Sequence, residues 1–356
     1  MGTETFLFIL FSAVCAVFVL GCPFAQAEPP FSFQMQTHPE TGWRTVVLKY
    51  VDPKTSGHNI EVKIAPGMGD NLFSIQYGGR ELLFGPEPFK VLARQSCGIK
   101  MLYPSPNRVK NAEWRFEETV LKFTPNNGPH FIHGLVKDIA WEFVDPVVTD
   151  NGVTFRTWID FDGSKPYFQS FPYRHRIELV FILSKDGIAF RYRVQNEDSK
   201  KLPFGFAIHP YFRVLGDRKN VFIKIPARKR MEAVEKIPTG KLLPLGPDAS
   251  TDLREFKSIA GLNLDDVFWG LRSSEPAVLQ YRDAGIRLRF IATDDFTHGV
   301  LFTPPGDFFC FENQTCSTDA HNLYTRGMRE AAHLLVVDPG KTMEGTVKIE
   351  ITPLPN

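Results

Sequence analysis

The chain has 356 residues, enough for one large all-β domain or two ordinary ones. Its 41 Lys plus Arg balance 40 Asp plus Glu, which excludes the basic excess of a nucleic-acid footprint and a strong field for anionic partners. Gly and Pro are abundant at 27 each and Phe numbers 32, which fits many strands joined by turns around an aromatic core.

Residues 6–20 are apolar, and Ala25-Gln26-Ala27 before Glu28 has the form of an Ala-x-Ala cleavage signal. The expectation is an export peptide over 1–27, one domain over 28–356, and a periplasmic or extracellular location. The leader holds Glu4 and no Lys or Arg, so its n-region is weak. Val19-Leu20-Gly21-Cys22 also has the outline of a lipoprotein box, which leaves a lipid anchor at Cys22 as a second reading. An uncleaved anchor is a third, since 6–24 nearly spans a bilayer. No other segment is expected to cross a membrane as a helix. Cys15 and Cys22 would leave with the peptide, and Cys97, Cys310 and Cys316 would remain. Three is odd, so at least one stays free or pairs between chains. A bridge between Cys310 and Cys316 stays open. His321 nearby does not make a zinc site, and no metal is expected.

Residues 28–40 read as a proline-containing lead-in. Strands are then expected over 43–50, 59–64, 72–77 and 81–84, with Gly78-Gly79 as a hairpin turn. Residues 97–108 form a loop-rich segment ending in Pro104-Ser105-Pro106-Asn107-Arg108, of the kind that makes rigid site rims. A strand pair follows at 111–116 and 119–123. The centre is denser, with strands at 139–144, 152–159, 171–183 and 187–196, turned at Asn151-Gly152 and Asp186-Gly187. Further strands are expected at 204–212, 221–225, 277–282, 286–293, 298–302, 308–311, 332–337 and 343–351. One short helix over 321–332, interrupted by Gly327, is the main helical signal. The pattern predicts one large antiparallel β-sandwich, curled enough to leave a concave face.

A few polar residues sit where apolar ones are expected. Glu312 ends an apolar, alternating run and is followed by Asn313, Gln314 and Thr315. A carboxylate there is costly unless it has partners or a task. His209 lies inside Phe204–Phe212, before Pro210; it reads either as a satisfied core histidine or as a proton carrier. His133 precedes Gly134 in a loop. Asp265-Asp266 precedes Val267 and Phe268, where one Asp would serve as a turn or cap residue. Asn107 and Arg108 could be plain turn and surface residues. Taken together, the set suits a sugar site. Planar donors and acceptors hold hydroxyls, aromatics lie beneath the ring, and Glu312 with His209 can supply a base and an acid. Composition leaves a glycosidase reading open as well.

Five segments in order resemble the aldose 1-epimerase (galactose mutarotase-like) family. They are Asn107-Arg108-Val109, His133-Gly134-Leu135, His209-Pro210-Tyr211-Phe212, Asp265 with Asp266-Val267-Phe268, and Glu312-Asn313-Gln314 with Asp319-Ala320 and Asn322. The resemblance covers about residues 60 to 350. It implies a curled supersandwich fold and interconversion of α and β anomers of a free aldose such as glucose or galactose. It further implies Glu312 as general base, His209 as general acid, and His133, Arg108, Asn107 and Asp265 as substrate-binding residues. The implied partner is a monosaccharide; no cofactor and no nucleic acid are implied. The expected starting state has Glu312 ionised and His209 protonated.

The chain departs from the family pattern at Pro210, Asn313 and Leu135-Val136-Lys137, which bears on the substrate. Lys100, Lys110 and Lys137 could hold a phosphate, as in the related glucose-6-phosphate 1-epimerase branch, though each reads first as solvated surface. The sequence also admits a non-catalytic carbohydrate-binding protein, a polysaccharide-active enzyme or a purely structural exported domain.

Overall fold

The computed structural model describes residues 29–85, 97–246 and 251–355. The expected export peptide, with Cys15 and Cys22, lies outside the described residues.

Two large antiparallel sheets carry the fold. The first has twelve strands. Phe31–Thr37, Arg44–Tyr50, Ile60–Ala65, Asn71–Tyr77, Ile99–Leu102, Ala207–Arg213, Phe308–Gln314, His298–Phe302, Asp265–Trp269, Lys229–Val234 and Ile237–Pro244 lie side by side in that order, and Arg80–Glu81 folds back on Asn71–Tyr77. The second has ten strands: Glu142–Phe143, Gly152–Phe161, His175–Ser184, Gly187–Asn196, Thr342–Pro353, Ile286–Ala292, Ala277–Tyr281, Val221–Lys224 and Lys257–Ser258, with Val147–Thr149 pairing Gly152–Phe161. The expected all-β sandwich is therefore the observed one.

Period-two patterning explains how the sheets meet. Along Thr342–Pro353, Val347, Ile349 and Ile351 are buried while Thr346, Lys348 and Glu350 are half-exposed. On the first sheet, Phe212 and Phe311 project toward the second, where both rings touch Phe290, at 5.8 and 4.9 Å between centroids. Phe309 likewise reaches Tyr281, at 6.5 Å. One continuous buried cluster runs through both sheets. Each such phenyl ring contributes about 1.5–3 kcal/mol of burial free energy.

The differences from expectation are local. The lead-in contains a strand, Phe31–Thr37, paired along its whole length with Arg44–Tyr50. Its core face is thin, with Phe31 buried and most other residues exposed, so the sequence carries little alternation. Asp265 and Asp266 are not turn residues; they begin a strand, with Asp265 opposite Phe302. The hairpin Lys229–Pro244 has no expected counterpart. Its turn is Glu235-Lys236, with φ of 48° and 67°, where a two-residue turn of this twist favours Asn-Gly. The helical signal resolves into Ala320–Thr325 and Arg329–Ala332, with Gly327 between them. Cys97, Cys310 and Cys316 are all free and buried, so no Cys310–Cys316 bridge forms.

Candidate active site

Alternation decides which residues of Phe308–Gln314 leave the core. Phe309 and Phe311 face the second sheet, so Cys310, Glu312 and Gln314 face the other way. On the neighbouring strand, Phe212 faces the second sheet, so His209 and Tyr211 share the face of Glu312. Register places them together: Ile208 opposes Asn313 and Tyr211 opposes Cys310, which brings His209 beside Glu312. His209 Nε2 lies 3.3 Å from Glu312 Oε1. Both side chains are buried, with the residues 4 % and 2 % exposed.

Each member of this pair is held by the residue two places along its own strand. Gln314 Nε2 donates to Glu312 Oε2 at 2.9 Å. The Tyr211 hydroxyl lies 3.2 Å from His209 Nε2, and the two rings stack at 4.4 Å. The i, i+2 spacing along a strand is the sequence signal that could have singled out Tyr211 and Gln314 as supports.

His133 meets the pair edge-on, its ring centroid 4.9 Å from that of His209. Its loop is pinned to the segment before it. The His133 amide donates to the Asn107 carbonyl, and the Leu135 amide donates to the Tyr103 carbonyl. Phe131 and Ile132 pair with Val109 and Arg108. Asn107 and His133 both have left-handed backbones, with φ of 56° and 69°. Asn and His are both among the non-glycine residues that enter that region more often than most. Gly134 is needed for packing, because a Cβ there would lie 2.2 Å from the Tyr103 carbonyl oxygen.

Arg108 and Asp265 complete the group. The guanidinium lies 3.6 Å from Asp265 Oδ2 and donates to Asn107 Oδ1 at 3.1 Å and Asn127 Oδ1 at 3.1 Å. Lys236, on the unexpected hairpin turn, reaches the same Asp265 oxygen at 2.9 Å. Asp319 accepts from the Lys110 amide, while its own amide donates to the Arg108 carbonyl, which braces the arginine segment against the short helix. On this face the half-buried Phe308 ring lies beside Tyr211, and the half-buried Phe302 ring lies beside Phe308. All six residues singled out from the sequence thus join through direct contacts into two groups: His133, His209 and Glu312, and Asn107, Arg108 and Asp265. The Asn107–His133 backbone bond links them. A cavity of about 640 Å³ lined by Lys224, Arg228, Arg254 and Phe256 shares none of these residues.

Burial sets the protonation of the pair. It pushes the Glu312 carboxyl up to about 8; the Gln314 hydrogen bond opposes this, Asp265 adds to it, and Arg108 opposes it. Burial pushes His209 down to about 3, helped by the nearby Lys100 charge. His133 is driven well below its ordinary value by burial and by His209 and neighbouring cations. Burial thus works against charge on both members, disfavouring ionised Glu312 and protonated His209 alike. The ionised Glu312 and protonated His209 expected from the sequence are favoured by their 3.3 Å contact and opposed by desolvation.

Of the three lysines considered for phosphate, Lys110 is exposed and Lys137 is paired with Asp138. Lys100, expected at the surface, is buried at 9 % exposure, directly opposite His209 on the next strand.

A family model described as aldose 1-epimerase matches residues 55–350. A galactose mutarotase from Sus scrofa is 27 % identical over 154 residues, 42 % of this chain. That match spans 43 % of the mutarotase, less than half its length. Among solved structures, a galactose mutarotase-like protein from Clostridium acetobutylicum has a TM-score of 0.79 at 18 % identity, covering 91 % of this chain and 99 % of its own. A galactose 1-epimerase from Lactobacillus acidophilus has a TM-score of 0.70 at 15 % identity, covering 91 % and 99 %. These two share the fold. With the family model matched across most of its length, the chain belongs to the aldose 1-epimerase family of isomerases.

Proposed function

We propose that the protein is a mutarotase interconverting the α and β anomers of a free aldose such as glucose or galactose. The observation that carries this reading is the buried pair of His209 and Glu312, 3.3 Å apart. Ring opening needs that arrangement: a base takes the proton from the anomeric O1, an acid gives one to the ring oxygen O5, and the C1–O5 bond breaks as the C1=O1 bond forms. Glu312 is the base and His209 the acid. After opening, Glu312 carries the proton and His209 is neutral, which is the arrangement that burial favours in the sugar-free protein. Rotation about C1–C2 presents the other carbonyl face, and the reverse transfers close the ring. His133 steadies O5, while Arg108, Asn107 and Asp265 orient hydroxyls. Phe302 and Phe308 offer apolar ring faces to the sugar.

The export reading is part of the same proposal and rests on residues 6–20 and Ala25-Gln26-Ala27. Mass spectrometry of the secreted chain should find Glu28 at its N-terminus; retention of residues 1–27 would overturn it.

Polarimetry on freshly dissolved α-glucose and α-galactose tests the activity. The protein should accelerate mutarotation of at least one, and Glu312→Gln or His209→Asn should lower the rate about 10²–10⁴-fold. An unchanged rate in either variant would remove that residue from the chemistry. Sugar binding without acceleration by the unmodified protein would make it a carbohydrate-binding relative. Because the working pair needs one shared proton, the rate should fall as pH rises through about 8, where Glu312 loses it. A rate still rising at pH 9 would contradict the shared-proton scheme.

A further inference from the structure

Three adjacent strands, Ile99–Leu102, Ala207–Arg213 and Phe308–Gln314, place three functional groups in a row: Lys100, His209 and Glu312. Lys100 is the direct cross-strand partner of His209, and Glu312 stands on the other side of that histidine. Residues directly opposite on one sheet face have Cβ atoms about 4.5–5.5 Å apart, so the Lys100 stem borders the imidazole. Register puts the Lys100 side chain on the His209 face of the sheet.

Lys100 is nine-tenths buried, yet its ammonium makes no hydrogen bond or ion pair among the described residues. The Asp138 carboxylate, which favours the Lys100 charge, is already in contact with Lys137. The Cys97 thiol close by is uncharged, its pKa raised to about 11 by burial. A cation on a largely buried stem with no counter-charge in contact is matched when a ligand brings the anion.

The order of the row says where on the sugar that anion sits. This step rests on the acid and base roles proposed above. Glu312 acts at O1 and His209 at O5. O5 is bonded only to C1 and C5, so the group beyond O5, away from C1, is C5 with its C6 substituent. We infer that Lys100 reads a negative charge at C6, and that the preferred substrates are aldoses carrying a carboxylate there, the hexuronates. A carboxylate carbon attached directly to C5 suits an ammonium on the strand next to His209; a phosphate ester extends farther from the ring.

Anomer exchange of galacturonate, glucuronate, galactose, glucose and glucose 6-phosphate, followed by polarimetry or proton NMR, tests this. The kcat/KM for a hexuronate should exceed that of the matching hexose at least tenfold. Lys100→Met, which replaces the ammonium by an apolar group of similar volume, should lower that ratio at least tenfold. Equal or better turnover of the neutral hexose, or a ratio unmoved in Lys100→Met, overturns the inference and leaves the mutarotase reading standing. A 6-phosphate turned over faster than either hexuronate overturns the carboxylate assignment. Acceleration of none of the sugars overturns both readings.

Discussion

The two faces of one strand, Phe308–Gln314, obey opposite rules. On the core face, Phe309 and Phe311 meet Phe212, Phe290 and Tyr281. The contacts there are between aromatic rings, and burial stabilises each ring. On the other face, Glu312 and Gln314 are equally buried, but burial works against the charge of Glu312 and drives its carboxyl up to about 8. The first face holds the sheets together. The second stores unfavourable electrostatics within the structure that the first face stabilises, which is how a protein keeps a carboxyl and an imidazole poised to exchange a proton.

That contrast can be broken from either side. Phe290→Ala, at the meeting point of Phe212 and Phe311, should cost about 3–5 kcal/mol of stability in denaturant unfolding. A cost under about 1 kcal/mol would mean the two sheets do not depend on this contact. Glu312→Gln should act in the opposite direction. The folded carboxyl binds its proton more tightly than the unfolded one, so its contribution is full below about 4.5 and is lost as pH rises through about 8. The variant lacks this titration. Its stability should therefore gain on that of the unmodified protein between about pH 5 and pH 8, by an amount on the order of a few kcal/mol. A pH-independent gap would mean that Glu312 is not held neutral by burial. Gly134→Ala should also destabilise, by about 1–3 kcal/mol, since the new Cβ would lie 2.2 Å from the Tyr103 carbonyl oxygen at a residue with φ of 68°. It should still lower the mutarotation rate by displacing His133, and an unaltered rate would separate His133 from the reaction.

Much of the sheet was legible where strands alternate and are bounded by turn residues with defined backbone chemistry. Gly187–Asn196 and His298–Phe302 appear at the expected bounds. Asp186-Gly187 supplies a turn whose glycine has φ of 140°, closing Ser184 onto Gly187. Hairpin Lys229–Pro244 was not legible, because Glu235 and Lys236 adopt left-handed backbones that neither residue favours. Phe31–Thr37 lacked alternation because it is an edge strand with one partner. Within the site, the candidate acid, base and hydroxyl-binding residues stood out as polar residues in apolar or turn surroundings. Tyr211 and Gln314 were hidden beside them, Lys100 looked like an ordinary surface lysine, and no local pattern pointed to Lys236.

By itself the sequence determined the all-β class, most strands, the family resemblance and the identity of the candidate proton-carrying residues, since these follow from local periodicity, turn chemistry and residue type. Tertiary structure alone decided the register that sets Lys100, His209 and Glu312 in one row, the hairpin turn that carries Lys236 to Asp265, and the burial that works against charge on Glu312 and His209. Those depend on strands distant in the chain and on how completely their neighbours exclude water, which no local pattern encodes.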